Sequence, residues 1–101
     1  MKKALVSKIE FCGRNNSDYR VVQVVDANNT FDVNTNLEWK DCADNVEADK
    51  WSYNPDTSTF NILPNGVSPL TAGTLAEDAN GIPTEKYVWD WDTETWNKES
   101  I

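Results

Sequence analysis

A short pattern that occurs twice constrains this fold more than any other feature. Tyr53-Asn54-Pro55-Asp56-Thr57-Ser58-Thr59-Phe60 aligns with Trp89-Asp90-Trp91-Asp92-Thr93-Glu94-Thr95-Trp96. Asp, Thr and Thr recur at matched positions, and aromatics bracket both copies. Asn54 suits the first position of a type I turn, and Pro55 presets φ for the second. Asp56 and Thr57 can bond back to the backbone. The pattern therefore predicts a hairpin over Trp51–Ile62, with Tyr53 facing Phe60 and Trp51 facing Ile62. It predicts a second hairpin over 86–101, with Trp89 facing Trp96. Aromatic cross-strand pairs contribute roughly 0.2–1 kcal/mol each. Two copies of so short a unit do not make a solenoid. Trp91 takes the place of Pro55, at a loop position that favours Asp, Pro, Asn or Gly. It either folds back onto its own sheet or docks into a partner or ligand. Aromatic anchors are typical of binding hot spots.

The rest of the chain also reads as strand. Residues 3–11 place Leu5, Ile9 and Phe11 on one face at period two. Gly13 to Asp18 is a turn cluster. Tyr19-Arg20-Val21-Val22-Gln23-Val24-Val25 is β-branched and aromatic, and predicts the strongest strand. Thr30-Phe31-Asp32-Val33 predicts a short strand, and Leu37 to Asp41 alternates apolar and polar. Residues 43–50 read as a loop with at most one helical turn. Residues 1–42 thus predict an antiparallel meander.

Residues 63–85 hold three of the four glycines, three of the four prolines and no aromatic. A long stretch without a clear element is unusual inside a compact domain, so it is expected to be an extended arm carrying Leu70 and Leu75 as anchors. The second hairpin, marginal alone, is expected to pack on the meander or on another subunit. The expected fold is all-β: a small antiparallel meander or sandwich-like domain of hairpins over 1–62, an arm over 63–85, and a C-terminal hairpin over 86–101.

The length of 101 residues fits one modest core. Mean hydropathy is low, at -0.65. The 11% aromatic content nevertheless argues for a folded chain, since disordered acidic chains have few aromatics. The basic opening Lys2-Lys3 leads into an apolar stretch that ends at Ser7-Lys8, too short for a signal peptide. No apolar run approaches the roughly 20 residues that span a bilayer. The net charge is -8. It is uneven: residues 1–40 carry six basic and five acidic side chains, and residues 41–101 three basic and twelve acidic. Such a chain is a poor ligand for a phosphate backbone or an anionic membrane, and no nucleic-acid or membrane partner is expected.

There is no histidine. That excludes Ser-His-Asp and Cys-His catalysis and His-ligated metals. The two cysteines, Cys12 and Cys42, are read either as separate buried thiols or as a single bridge. Asp90, Asp92 and Glu94 alternate like the start of an EF-hand loop. The required Gly would fall on Thr95 and the position-12 Glu on Ile101, so the match fails. No cofactor, metal or catalytic residue is expected. Acidic, Asn-rich, Trp-rich β modules can stack sugars on their indoles, and this keeps glycan binding open.

Leu37-x-Trp39-x-Asp41-Cys42-x-Asp44-x-Val46-x-Ala48-Asp49-x-Trp51-x-Tyr53, followed by the Asp-Thr-x-Thr-Phe turn, resembles small proteins of marine tailed phages of the cyanophage type. Met1 to Val6 and Tyr87-Val88-Trp89-Asp90-x-Asp92-x-x-x-Trp96 look like the same group. Members are largely uncharacterised and are thought to be virion-associated. The resemblance implies a place, the virus particle, and carries over no functional residues. The expectation is a non-enzymatic virion protein, a decoration or cement protein on the major capsid protein shell, with homo-oligomerisation open. Its contacts are expected from Trp91, Leu70, Leu75 and Trp89. The alternatives are a tail or fibre component, a glycan-binding module, and an inhibitor of a host factor that mimics nucleic-acid charge.

Overall fold

The computed structural model describes residues 2–13, 18–63, 66–67 and 73–101. The fold is all-β, as expected, in one seven-stranded sheet. The strands are β1 (Lys2–Phe11), β2 (Tyr19–Asp26), β3 (Leu37–Cys42), β4 (Trp51–Asn54), β5 (Thr59–Ile62), β6 (Glu85–Asp90) and β7 (Thr95–Ser100). Their order is β5-β4-β2-β1-β6-β7, with β3 also paired to β1. β1 is the axis of the molecule. It pairs antiparallel with β2 from Lys2↔Asp26 to Phe11↔Tyr19. On its other edge Lys2–Ser7 pairs with β3. Glu10 and Phe11 then pair in parallel with Tyr87 and Val88 of β6. The change of partner coincides with register shifts at Leu5/Val6 and Ser7/Phe11. Bulges of this kind bend a strand and raise its twist, so one strand serves both halves of a curled sheet.

This arrangement corrects three expectations. The sheet is mixed, because β1 and β6 run parallel. The buried run of β1 is Ala4-Leu5-Val6-Ser7, while Ile9 and Phe11 are half-buried. A strand covered on both faces needs no period-two alternation. The third concerns only the strand order within the meander, whose two pairings are antiparallel as expected. β3 returns to β1, not to β2. Both β2 and β3 are antiparallel to β1, so they are parallel to each other, and a parallel connection needs a crossover. Residues 27–36 make that crossover, from the Lys2 end of the sheet to the Ser7 end, where Lys8 N donates to Asn36 O at 2.8 Å. The expected strand at Thr30–Val33 is therefore irregular chain after a 3-10 turn at Ala27–Asn29. Phe31 stays 51% exposed, edge-on to Trp39 at 5.2 Å, and Trp39 Nε1 donates to Phe31 O.

The two hairpins form as expected. β4–β5 pairs Trp51↔Ile62 and Tyr53↔Phe60, and β6–β7 pairs Trp89↔Trp96. One attaches to β2 through Tyr19↔Tyr53, the other to β1. Each helps close a core. Ala4, Val6, Val21, Val46 and Tyr53 form one cluster. Cys12, Leu63, Leu75, Tyr87, Trp89 and Trp96 form the other.

The segment read as an arm packs on its own molecule over its described part. Gly66 N donates to Leu63 O and Val67 N to Asp49 O. Gly66 has φ +64, and a Cβ there would lie 2.9 Å from Asp49 O, so only glycine fits. Residues 73–84 fold into a small closed loop. Glu77 bridges Pro83, Asp78 Oδ1 accepts from Asn80 N and Ile82 N, and Thr84 N donates to Ala76 O. Lys98 and the Tyr87 hydroxyl tie it to the second hairpin through Thr74 O and Gly73 O.

Candidate functional site

The two turns are copies to the level of single hydrogen bonds. Asn54 Oδ1 accepts from Asp56 N at 2.9 Å and Thr57 N at 3.3 Å. Asp90 Oδ1 accepts from Asp92 N at 2.9 Å and Thr93 N at 3.3 Å. Thr57 and Thr93 meet Thr59 and Thr95, each hydroxyl pair at 2.7 Å. Ser58 and Glu94 close the loops at φ 55. The turn chemistry of Asx at the first position and Thr at the fourth is enough to build this loop. Pro55 and Trp91 occupy the same place in it, so the loop does not require an indole.

Trp91 folds back onto its own sheet, the first of the two readings. Its ring meets Trp89 edge-on at 6.0 Å and 83°, and Trp89 meets Trp96 at 5.3 Å. Trp91 is thereby half-buried against its own hairpin. It also lines a concavity of about 300 Å³ with Val88, Trp89, Asp90, Asp92, Asn97 and Glu99. Asp92, Asn97 and Glu99 are exposed. Asp90, Asp92 and Glu99 have no ion-pair partner among the described residues. Lys86, opposite Glu99 in the ladder, extends over the Phe11 ring at 5.1 Å.

Of the residues expected to make contacts, the structure brings Trp89, Trp91 and Leu75 into one cluster. Leu75 is 8% exposed and Trp89 3%, so both are core residues. Leu70 lies outside the described residues. Cys12 and Cys42 are both free thiols. Cys12 is fully buried, and burial pushes its thiol up to about 12.

Sequence reasoning missed the polar centre between the two cores. Arg20 bonds Glu10 Oε1 at 2.5 Å and Asp49 Oδ1 at 2.6 Å, and its guanidinium lies 5.9 Å from the Trp96 ring centroid. Glu10 and Asp18 are buried beside it. Burial opposes the charge on Arg20. The hydrogen bond to Asp49 and the charge and bond of Glu10 outweigh it and hold the guanidinium above its usual value. Ser52 Oγ donates to Asp18 Oδ2 at 3.0 Å, and Oδ1 has no partner among the described residues. Gly13 leaves the room for Asp18, since a Cβ there would come within 2.5 Å of Asp18 Cβ. Removing one partner of a buried ion pair costs about 3–5 kcal/mol. With its arginine enclosed, this centre joins the cores. Among the described residues, no three Asp, Glu or Cys side chains are grouped for a metal.

No protein-family model, curated protein or solved structure matches this chain.

Proposed function

We propose that this protein is a non-enzymatic structural component of a phage particle, a decoration or cement protein docked on the shell of the major capsid protein. The resemblance of Leu37–Tyr53 and of Tyr87–Trp96 to small virion-associated phage proteins supports the particle. One structural observation supports the docking: where its sister turn holds a proline, the second turn holds an indole, and that indole lines a concavity together with the exposed Asp92, Asn97 and Glu99. Tryptophan is enriched among the residues that dominate interfaces. The acidity of residues 41–101 fits a surface that faces water or a basic partner.

The test is quantitative mass spectrometry of purified particles, with this chain measured against the major capsid protein. A copy number that tracks the capsid protein is expected. A copy number that tracks a single tail or fibre component would replace decoration with a tail role. Absence from particles would overturn the reading.

A further inference from the structure

We infer that β5 is a self-pairing edge: two copies of this chain dock antiparallel along it, about a two-fold axis at Asn61. The inference goes beyond the particle reading and stands with or without it.

Three observations converge. The first is the distribution of charge over the strands that end the sheet. The sheet path ends in β5 and β7, and β3 ends the spur on β1. An edge strand invites pairing with another chain, and charged side chains are a common guard against it. β7 carries Lys98 and Glu99, and β3 carries Glu38, Lys40 and Asp41. β5, Thr59-Phe60-Asn61-Ile62, carries no charge and no proline. The neutrality extends beyond the strand. In a chain of net charge -8, residues 51–63 hold one charged side chain, Asp56, at the tip of the turn. Self-association brings like charges together, so an acidic chain meets its own copy with least repulsion at such an edge. A partner of opposite charge would find nothing on β5 to attract it.

The second observation is the phase of the hairpin's hydrogen bonds. Leu63 N donates to Lys50 O at 2.8 Å. Bonded and non-bonded pairs alternate along an antiparallel ladder. Asn61 and Thr59 therefore bond toward β4, opposite Ser52 and Asn54, and the N–H and C=O groups of Phe60 and Ile62 point to the outer edge. These two residues flank Asn61 symmetrically. A two-fold axis at Asn61 sets each Phe60 opposite the partner's Ile62, and each pair exchanges two backbone bonds. Asn61 meets its own copy across the axis as a non-bonded pair. The third observation is the face. Phe60 and Ile62 lie on the same face as Tyr53 and Trp51, their cross-strand partners. Phe60 is half-buried against the cluster of Val6, Val21 and Tyr53, whereas Ile62 is 65% exposed. The two-fold places an aromatic beside a β-branched side chain, a favourable cross-strand pair, and covers Ile62 twice. One isologous register thus satisfies both the backbone and the apolar face. A strand of four residues gives a contact at the small end of specific interfaces, so the dimer is reversible.

The experiment uses the full chain. Sedimentation velocity over a roughly hundredfold range of concentration should show a reversible passage from monomer to dimer. Amide exchange reads the register. The N–H groups of Phe60 and Ile62 should exchange more slowly as the dimer fills, while those of Thr59 and Asn61, already bonded to β4, keep their rates. Ile62→Lys, at an exposed position, should weaken dimerisation about tenfold. In a Cys42→Ser background, Asn61→Cys should cross-link into a disulfide dimer under mild oxidation, because a non-bonded pair brings its Cα atoms to about 4.5 Å. Thr59→Cys should not, since its two copies stand about 14 Å apart along the strand in this register. A monomer at every concentration, dimerisation indifferent to Ile62→Lys, or equal cross-linking at positions 59 and 61 would overturn the proposal. So would a dimer whose slowed amides lie in β3 or β7. A β5 dimer formed by a chain absent from particles would leave this contact standing and remove the virion reading.

Discussion

At the scale of single residues, the physics of the molecule is concentrated around Arg20. Its partners Glu10 and Asp49 lie 10 and 29 positions away in sequence. Local pattern cannot show such a centre, since nothing around Arg20 distinguishes it from an exposed strand arginine. Cys12 reports on the same region. Its thiol is raised from 9.0 to about 12, first by burial; Arg20 opposes the shift, and Asp18, Glu10 and Asp49 add to it. The sign of the linkage follows. Below pH 9.0 the thiol is protonated in the folded and unfolded chain alike, and its contribution is fully present. As pH rises from 9.0 toward about 12, the unfolded chain releases the proton and the folded chain keeps it, so stability falls. The slope approaches about 1.4 kcal/mol per pH unit. Denaturant unfolding on both sides of pH 9.0 should show the native chain losing more stability than Cys12→Ala. Parallel losses would mean that the thiol is not buried as described.

At the scale of elements, the hairpins were legible because each is specified within a dozen residues. Asx, Asp and Thr build the turn, and the turn sets the register that puts Tyr53 opposite Phe60 and Trp89 opposite Trp96. The turn chemistry also predicts matched mutational effects. Asn54→Ala and Asp90→Ala each remove an acceptor that serves two backbone N–H groups. Each should lower stability by about 1 kcal/mol, since the freed donors reach water. Ser58→Gly and Glu94→Gly should act in the opposite direction by about 0.5–1 kcal/mol, because both residues sit at φ 55 where a Cβ is strained. Chemical-denaturation midpoints of the four variants check this, and a loss in either glycine variant would contradict it. The elements that were misread share a different cause. Thr30–Val33 has strand-like residues, but the chain there must cross from β2 to β3, and topology overrides propensity. In β1 period two predicts a single apolar face, yet a strand with neighbours on both edges and cover on both faces does not alternate: Ala4 to Ser7 are buried in succession.

At the scale of the whole molecule, the question is whether the C-terminal hairpin is an appendage or part of the body. Its pairing with β1 is short, two parallel partners at Glu10↔Tyr87 and Phe11↔Val88. Ladder length alone would make it an appendage. The packing says otherwise. Tyr87, Trp89 and Trp96 form most of the cover over Cys12, Leu63 and Leu75, and Trp96 lies against the guanidinium of Arg20. The radius of gyration, 13.4 Å, matches the roughly 13 Å expected of one compact unit of this length. Truncation after Thr84 would therefore do more than delete a hairpin. It would expose the apolar surface of one of the two clusters, about 25 cal/mol for each Å² uncovered, and admit water to the ion pairs of Arg20. The truncated chain should lose the first hairpin's order as well, because β4 is anchored on Tyr19 and Arg20 of β2. Fluorescence of Trp51 and the dispersion of the Val21 and Tyr53 amide resonances report on that distant half. Both should collapse toward unfolded values in the truncated chain. Retention of a native Trp51 environment, with an unchanged unfolding midpoint, would show instead that residues up to 62 form a self-sufficient body and that the second hairpin is a separable unit.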